Sequence, residues 1–339
     1  MTPPVHPAPP QRYRWRLASY DGIAPDRLGA LTDGAGDTRP HDRFLGELTA
    51  CTAKVLARAE GADLVFVGRS LDSMYDLLTG AFEHSGWEGR LLRLPLSGLC
   101  DDDWGPAERH RLREHLAAAG LEPYALARRA RPIALLDVVH QGTTFTTVHR
   151  QLADWIEESR EPWPVIRRKL RYIGVTEQGT TSPRHWRWQQ DRAHDWVRTL
   201  PAGHVVNVSL DSRMWSELAD RRPKVTPGFP PHQWFDVETT TKTRHRHLAH
   251  ALAFAKALVE AGRSRAVRDE LIRLMAREPG FAGREQRRLA LALRGTAHTL
   301  TGQVRSRSRR RTRRARERTR PRRPPLAPTS PPAARHPWP

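Results

Sequence analysis

An apolar run that ends in one carboxylate and a short polar loop constrains the fold of this chain more than any other stretch. Residues 133–139 read Ile-Ala-Leu-Leu-Asp-Val-Val, and residues 140–144 read His-Gln-Gly-Thr-Thr. The apolar run predicts a buried strand, and the apolar residues at helical spacing over 145–156 predict a helix. A strand, a tight loop and a helix in this order are typical of an α/β protein.

The loop after this strand carries residues that suit an anion site. Gly142 can adopt backbone angles that other residues avoid, which lets a ligand approach the backbone closely. Thr143 and Thr144 place hydroxyl groups where the helix begins, and the free N–H groups of a helix start favour phosphate. Asp137, at the end of the strand, can accept hydrogen bonds from sugar hydroxyls or hold a hydrated divalent cation.

A second stretch of the chain has the same arrangement. Residues 63–67 predict a buried strand and residues 71–82 a helix. The turn between them consists of Gly68, Arg69 and Ser70. The guanidinium of Arg69 can bind a diphosphate through its planar fork, or it can pair with Asp72 or Asp76 on the helix. The sequence leaves both interpretations open.

The remaining strand patterns predict an α/β fold with a mostly parallel sheet flanked by helices. The five predicted strands cover residues 63–67, 90–94, 133–138, 170–175 and 204–210, and helical patterns separate most of them. In an open parallel sheet the loops at the carboxyl ends of the strands meet at one edge, where ligands bind. We therefore expect Gly68 and Asp137 to lie at the same edge of one sheet.

These motifs resemble the phosphate-binding loops of the type I phosphoribosyltransferases. In that family an apolar strand leads to two acidic residues, two apolar residues and a Thr/Gly loop, which residues 135–139 and 142–144 match in part. Leu136 stands where the first acid is usual, and His140 and Gln141 replace the usual small or threonine residues. The resemblance covers roughly residues 44–215. A short pyrophosphate loop follows the first core strand in the family, where residues 68–70 stand here.

The resemblance implies transfer of a phosphoribosyl group from phosphoribosyl diphosphate, with magnesium as cofactor and pyrophosphate as leaving group. It also implies the site residues. Asp137 would hold the ribose hydroxyls as the catalytic residue, Gly142, Thr143 and Thr144 would bind the 5′-phosphate, and Gly68, Arg69 and Ser70 would bind pyrophosphate. The acceptor substrate and the oligomeric state do not follow from the sequence.

Two other functions fit the sequence. A protein of this fold with only one acid in the motif can bind a nucleotide without turnover, as a sensor or regulator. Alternatively, the chain can bind nucleic acid through its basic end, because residues 304–323 hold +11 of the formal charge of +20. The segment Arg305–Arg323 would then give salt-sensitive binding without sequence preference.

The predicted domain organisation follows changes in composition. Residues 1–12 are rich in proline and residues 301–339 in arginine and proline, and neither segment has the apolar residues for a core, so both predict disorder. Between them we expect an α/β domain over 13–215 and a mostly helical extension over 216–300. Residues 14–20 can form an edge strand, and Gly262 predicts a break between two helices of the extension.

Several other features narrow the function. No apolar run approaches the roughly 20 residues of a membrane helix, and the two cysteines predict no disulfide framework or metal set, so we expect a cytoplasmic protein. In the family a mobile lid follows the second core strand. The acidic loop over 96–106 is either the counterpart of this lid or an ordinary solvated loop. Tryptophans near residues 184–196 suit either stacking on a base or core packing, and packing is the more frequent role.

Overall fold

The computed structural model describes residues 14–20, 23–96, 104–181, 187–230, 233–234 and 244–295. The chain divides into two compact units, Met1–Thr296 and Ala297–Pro339. All described residues belong to the first unit. The predicted disordered ends, the middle of the acidic loop and residues 184–186 lie outside the described residues, and the domain boundary near 215 stays a prediction.

Five parallel strands form one sheet in the part of the chain that the structure describes. They are β1 Asp63–Val67, β2 Leu91–Leu94, β3 Ile133–Val138, β4 Leu170–Glu177 and β5 Val205–Leu210. Their order across the sheet is β2-β1-β3-β4-β5, and every neighbouring pair is parallel. The predicted strands and the predicted parallel sheet are therefore confirmed.

Helices cover both faces of this sheet. They are α1 Asp42–Ala59, α2 Asp72–Phe82, α3 Pro106–Ala118, α4 Pro123–Arg128, α5 Thr143–Glu158, α6 Trp163–Ile166, α7 Ser212–Ser216, α8 Leu248–Arg263, α9 Arg265–Met275 and α10 over 284–295. None of the described helices has both the length and the apolar character needed to cross a membrane. The α/β class with helices on both faces is confirmed, since strands and helices alternate along most of the described chain.

The two faces of the sheet carry two hydrophobic cores because side chains alternate along a strand. Leu64, Phe66 and Leu136 face the core that α1, α2, α8 and α9 cover. Val65 and Leu135 face the opposite core, which contains residues of α3, α4, α5 and α6. Burial on both faces explains why the strands read as continuous apolar runs rather than alternating ones.

The predicted break between two helices is confirmed, but it falls at Ser264 and not at Gly262. Helix α8 continues through Gly262 to Arg263, and Ser264 caps α9 by accepting a hydrogen bond from the Val267 N–H at 3.3 Å. A Cβ atom at Gly262 would overlap the Leu77 carbonyl of α2, and one at Gly80 would overlap the Val259 carbonyl of α8. Both glycines therefore allow a close helix contact instead of ending a helix.

Residues 14–20 do not form the predicted edge strand. Apart from an isolated bridge between Tyr20 and Ile23, the described segment has no sheet pairing. Ion pairs from Arg14 to Asp72 and Asp76 attach it to α2. Because these side chains lie on a helix rather than a strand, the segment crosses α2 and does not extend the sheet.

Candidate functional site

The carboxyl ends of β1 and β3 define a crevice at one edge of the sheet. Phe66 of β1 pairs with Leu136 of β3, but β1 continues toward β2 on one side and β3 toward β4 on the other. Ligands of open α/β sheets bind where the connections diverge in this way. A Cβ atom at Gly68 would lie 3.9 Å from Asp137 Oδ1. The expectation that Gly68 and Asp137 share one edge is confirmed.

The loop after β3 surrounds a cavity of about 240 Å³ lined by residues 137–145. Gly142 has a left-handed backbone with φ +82°, and α5 begins at Thr143 without a side-chain cap. The described residues offer no acceptor for the N–H groups of Thr143, Thr144 and Phe145. The structure therefore places an uncapped helix start, with its partial positive charge, at the wall of this cavity.

Asp137 is a buried carboxyl group on the same cavity, with a relative exposure of 7%. Burial raises its pKa to about 8, although the Val138 N–H, which donates to Oδ1 at 2.8 Å, and the charge of Lys224 both lower it. No Lys, Arg or His among the described residues forms a salt bridge with Asp137. The carboxyl group therefore carries its proton over much of the neutral pH range.

The Gly-Arg-Ser loop is covered by residues of a later, irregular segment of the chain. The sequence did not predict this contact. The Arg69 Nη1 donates to the Thr226 carbonyl at 2.9 Å, and its guanidinium carbon lies 5.9 Å from the centre of the Trp234 ring. Arg69 forms no salt bridge with Asp72 or Asp76 in the described structure, so that predicted pairing is wrong. Both carboxylates instead bind Arg14.

Lys224, from the same covering segment, is a charged residue at the site that sequence reasoning missed. Its Nζ donates to the carbonyls of Ser70 at 3.1 Å and Leu218 at 2.5 Å. Burial lowers the pKa of Lys224 to about 8, although the charge of Asp72 raises it. A single lysine in an irregular stretch has no periodic or motif signal, and only the flanking prolines hint at an ordered segment.

The segment between β4 and β5 packs against the cavity loop. A Cβ atom at Gly142 would overlap the Trp188 ring, whose Nε1 donates to Asn207 Oδ1 of β5 at 3.0 Å. Trp188 and Trp196 are buried in the core beside α5, so the packing interpretation of these tryptophans is confirmed. The support leaves the loop without space to move toward β5.

His194 adds a second support through a chain of hydrogen bonds. Trp196 Nε1 donates to Thr146 Oγ1 at 2.9 Å, and Thr146 Oγ1 lies 2.5 Å from His194 Nδ1. Because the tryptophan can only donate, we assign the threonine proton to the bond with Nδ1. His194 Nε2 then donates to the Gln141 carbonyl at 2.8 Å, which fixes the cavity loop at its tip.

The described residues fit magnesium only as an ion that a phosphate ligand brings with it. They contain no group of three or more His, Cys, Asp or Glu side chains placed to hold a metal. Among the described residues Asp137 is the one carboxylate lining the loop cavity, and Leu136 is fully buried in the core. Magnesium in proteins is usually bound by one or two carboxylates together with substrate phosphates.

Comparisons with protein family models, with curated proteins and with solved structures give no match. The fold and the site therefore define the class of this protein by themselves. It is an α/β protein with a parallel sheet, in which a buried carboxyl group and an uncapped helix start share one cavity at the carboxyl edge.

Proposed function

We propose that this protein binds a phosphorylated ribose, as phosphoribosyl diphosphate or a nucleotide, in the loop cavity after β3. One observation carries the proposal: the cavity brings the buried Asp137 carboxyl group together with the uncapped start of α5. A sugar phosphate needs both features, since its hydroxyl groups require a hydrogen-bonding partner and its phosphate requires N–H donors.

The phosphate would bind at the start of α5. The backbone N–H groups of Thr143 and Thr144 have no other acceptor among the described residues, and their hydroxyl groups extend the set of donors. Hydrogen bonds to charged groups contribute roughly 1.5–3 kcal/mol each, so two or three of them would contribute roughly 3–9 kcal/mol before the cost of association is subtracted. Gly142 supplies the left-handed turn that starts α5, and its missing Cβ atom leaves room for the Trp188 ring beside the loop.

The ribose would bind beside Asp137. In its protonated form the carboxyl group can donate to one sugar oxygen and accept from a hydroxyl, and in its ionised form it can accept from two hydroxyls. Its burial makes either form sensitive to a ligand, because a buried carboxyl group gains more from an added hydrogen bond than a solvated one.

A diphosphate on the sugar would lie toward the Gly-Arg-Ser loop. Arg69 is half-buried, and within the described residues its one hydrogen bond is from Nη1 to a carbonyl oxygen; a diphosphate is a stronger acceptor for the same guanidinium. Lys224 supplies a second cation next to Ser70. Magnesium, when bound, would neutralise part of the diphosphate charge.

Binding without turnover is the second candidate function, and one observation favours it. The motif's first acid is replaced by Leu136, which has no exposed surface, so Asp137 is the only carboxylate that the described part of the chain places on the cavity. Phosphoribosyl transfer passes through a cationic sugar, and a single carboxyl group with a raised pKa stabilises that cation poorly near neutral pH.

Calorimetry with phosphoribosyl diphosphate and magnesium tests the proposal. We expect saturable binding to the wild-type protein and weaker binding to Thr144→Val, which loses a hydroxyl contact to the phosphate. Thr49→Val is the matched control, because its hydroxyl bonds the Leu45 carbonyl in α1, away from the loop cavity. Absence of binding to the wild type, or equal losses in both variants, would refute the proposal.

A pyrophosphate-release assay then separates the two candidate functions. Release that depends on an added acceptor would establish transfer, and binding without release across nucleobases, amines and water as acceptors would favour the non-catalytic function.

A further inference from the structure

A second cavity, of about 270 Å³, lies between the N-terminal segment, α2 and β2. It shares no lining residue with the loop cavity. The residues of its walls are Arg14 to Tyr20, then Tyr75, Asp76 and Thr79 of α2, and Glu88, Leu91 and Arg93. A size near 300 Å³ and walls that mix aromatic residues with a few charged groups are typical of small-molecule sites.

Four buried charged side chains form one side of this cavity or lie directly behind it. Arg14 binds Asp72 at 2.8 Å and also binds Asp76. Among the carboxylates of the described residues, Arg93 reaches only Asp72, at the long distance of 3.5 Å. The Arg93 side chain is 9% exposed, and its Nε is buried without an acceptor in the described residues. Arg93 is therefore the member of the cluster whose charge is least compensated.

Beside the charged groups, the walls of the cavity also provide a flat aromatic surface. The guanidinium carbons of Arg14 and Arg93 lie 5.5 Å and 5.7 Å from the centre of the Tyr75 ring. Tyr20, Leu17 and Leu91 continue the apolar wall. A planar ring placed there would contact Tyr75 while a substituent reaches Arg93.

We infer that this cavity is a second ligand site, which binds a small aromatic carboxylate with the carboxylate on Arg93 and the ring against Tyr75. Two arginines line it at its buried end, and a planar guanidinium fork matches a carboxylate. The competing class is an aromatic cation held by Asp76 and Glu88. We favour the anion because Asp76 already has Arg14 as a close partner, whereas Arg93 shares Asp72 with Arg14 and reaches it only at 3.5 Å.

Asp76 makes this binding depend on pH. Burial raises the pKa of Asp76 to about 6; the charges of Arg14 and Arg93 lower it, and the charge of Asp72 raises it. Arg16 and Glu88 complete the charged groups of the lining. A ligand carboxylate adds a second negative charge beside Asp76, so binding should be accompanied by uptake of a proton.

Calorimetric titration of the full-length protein with benzoate, benzamide and benzamidine tests the inference. We expect benzoate to bind best, and to bind several-fold more tightly at pH 5.5 than at pH 8, because protonation of Asp76 removes the repulsion. Asp76→Asn should bind benzoate about equally at both pH values, and at pH 8 more tightly than the wild type. Arg93→Gln should weaken benzoate by about tenfold or more.

Two controls keep the inference open to refutation. Thr144→Val, in the loop cavity, should leave benzoate binding unchanged. If Arg93→Gln does not fold, Arg93→Lys keeps the charge without the fork and should still weaken benzoate. Tighter binding of benzamidine than of benzoate, no pH difference between the wild type and Asp76→Asn, or no benzoate binding below a Kd of about 10 mM would overturn the inference.

Discussion

At the scale of single residues, Gly142 fixes where α5 begins and thus where its free N–H groups point. We predict that Gly142→Ala destabilises the fold by about 2 kcal/mol or more, because a side chain is strained at φ +82° and overlaps the Trp188 ring. Gly203→Ala is the matched control, since it has φ +81° but no atom within 4 Å of the added Cβ. Urea unfolding of both variants separates strain from overlap, and equal losses would contradict the packing of Trp188 under the loop.

Asp137 should control how stability changes with pH. Its folded pKa of about 8 lies above its ordinary value of 3.8, so the folded protein keeps a proton that the unfolded chain releases. The contribution of Asp137 to stability should therefore fall as pH rises from about 4 to 8, and Asp137→Asn should lack this part of the pH dependence.

Thermal melting at several pH values checks this prediction for Asp137. The melting temperature of Asp137→Asn minus that of the wild type should grow between pH 4 and 8 and then level off. The exposed Asp195 gives the control, because Asp195→Asn should follow the wild type at every pH. A constant difference for Asp137→Asn would mean that the carboxyl group is ionised throughout.

The sequence identified the residues of the loop cavity but not those that support it. Asp137 and Gly142 follow a strong strand pattern within a few positions, so local spacing was enough to predict their placement. Lys224, Trp188 and His194 act through contacts with residues tens of positions away. Those contacts depend on the order of the strands, which a single sequence does not determine.

At the scale of elements, the close contact of α2 with α8 depends on two glycines. We predict that Gly262→Ala lowers stability by about 1–3 kcal/mol or more, because its Cβ would overlap the Leu77 carbonyl and backbone cannot move aside cheaply. Gly46→Ala in α1 is the control, since its Cβ would meet no atom within 4 Å.

Chemical denaturation of both glycine variants distinguishes packing from helix propensity. An exposed helical Gly→Ala substitution usually stabilises by about 0.5–1 kcal/mol, and we expect this for Gly46→Ala. A stabilising Gly262→Ala would contradict the close contact and would return Gly262 to the role of a helix break.

The type and position of the helices and strands were more predictable than which segments pack against each other. All five strands matched their apolar runs to within about two residues at each end. The segment 222–230 has no periodic pattern, so its place over the Gly-Arg-Ser loop was not predictable. The role of Gly262 could not be predicted, because the sequence does not distinguish a glycine at a close helix contact from a glycine at a helix end.

At the scale of the whole molecule, charge is concentrated beyond the described residues. Residues 304–323 hold +11 of the formal +20. We predict that deletion of 301–339 leaves the melting temperature nearly unchanged, since the segment has few apolar residues to contribute to a core. Binding to a polyanion such as heparin should weaken, and most strongly at low salt. A large loss of thermal stability would contradict the predicted independence of this segment.

The central claim is that Asp137 and the start of α5 together bind a ribose phosphate. The most direct measurement is calorimetric titration of the wild type and Asp137→Asn with ribose 5-phosphate and with 2-deoxyribose 5-phosphate. The wild type should prefer the ribose compound, because only it offers the 2-hydroxyl to Asp137, and Asp137→Asn should lose most of that preference while keeping its fold. Absence of ribose 5-phosphate binding to the wild type, or the same preference in both proteins, would contradict the claim.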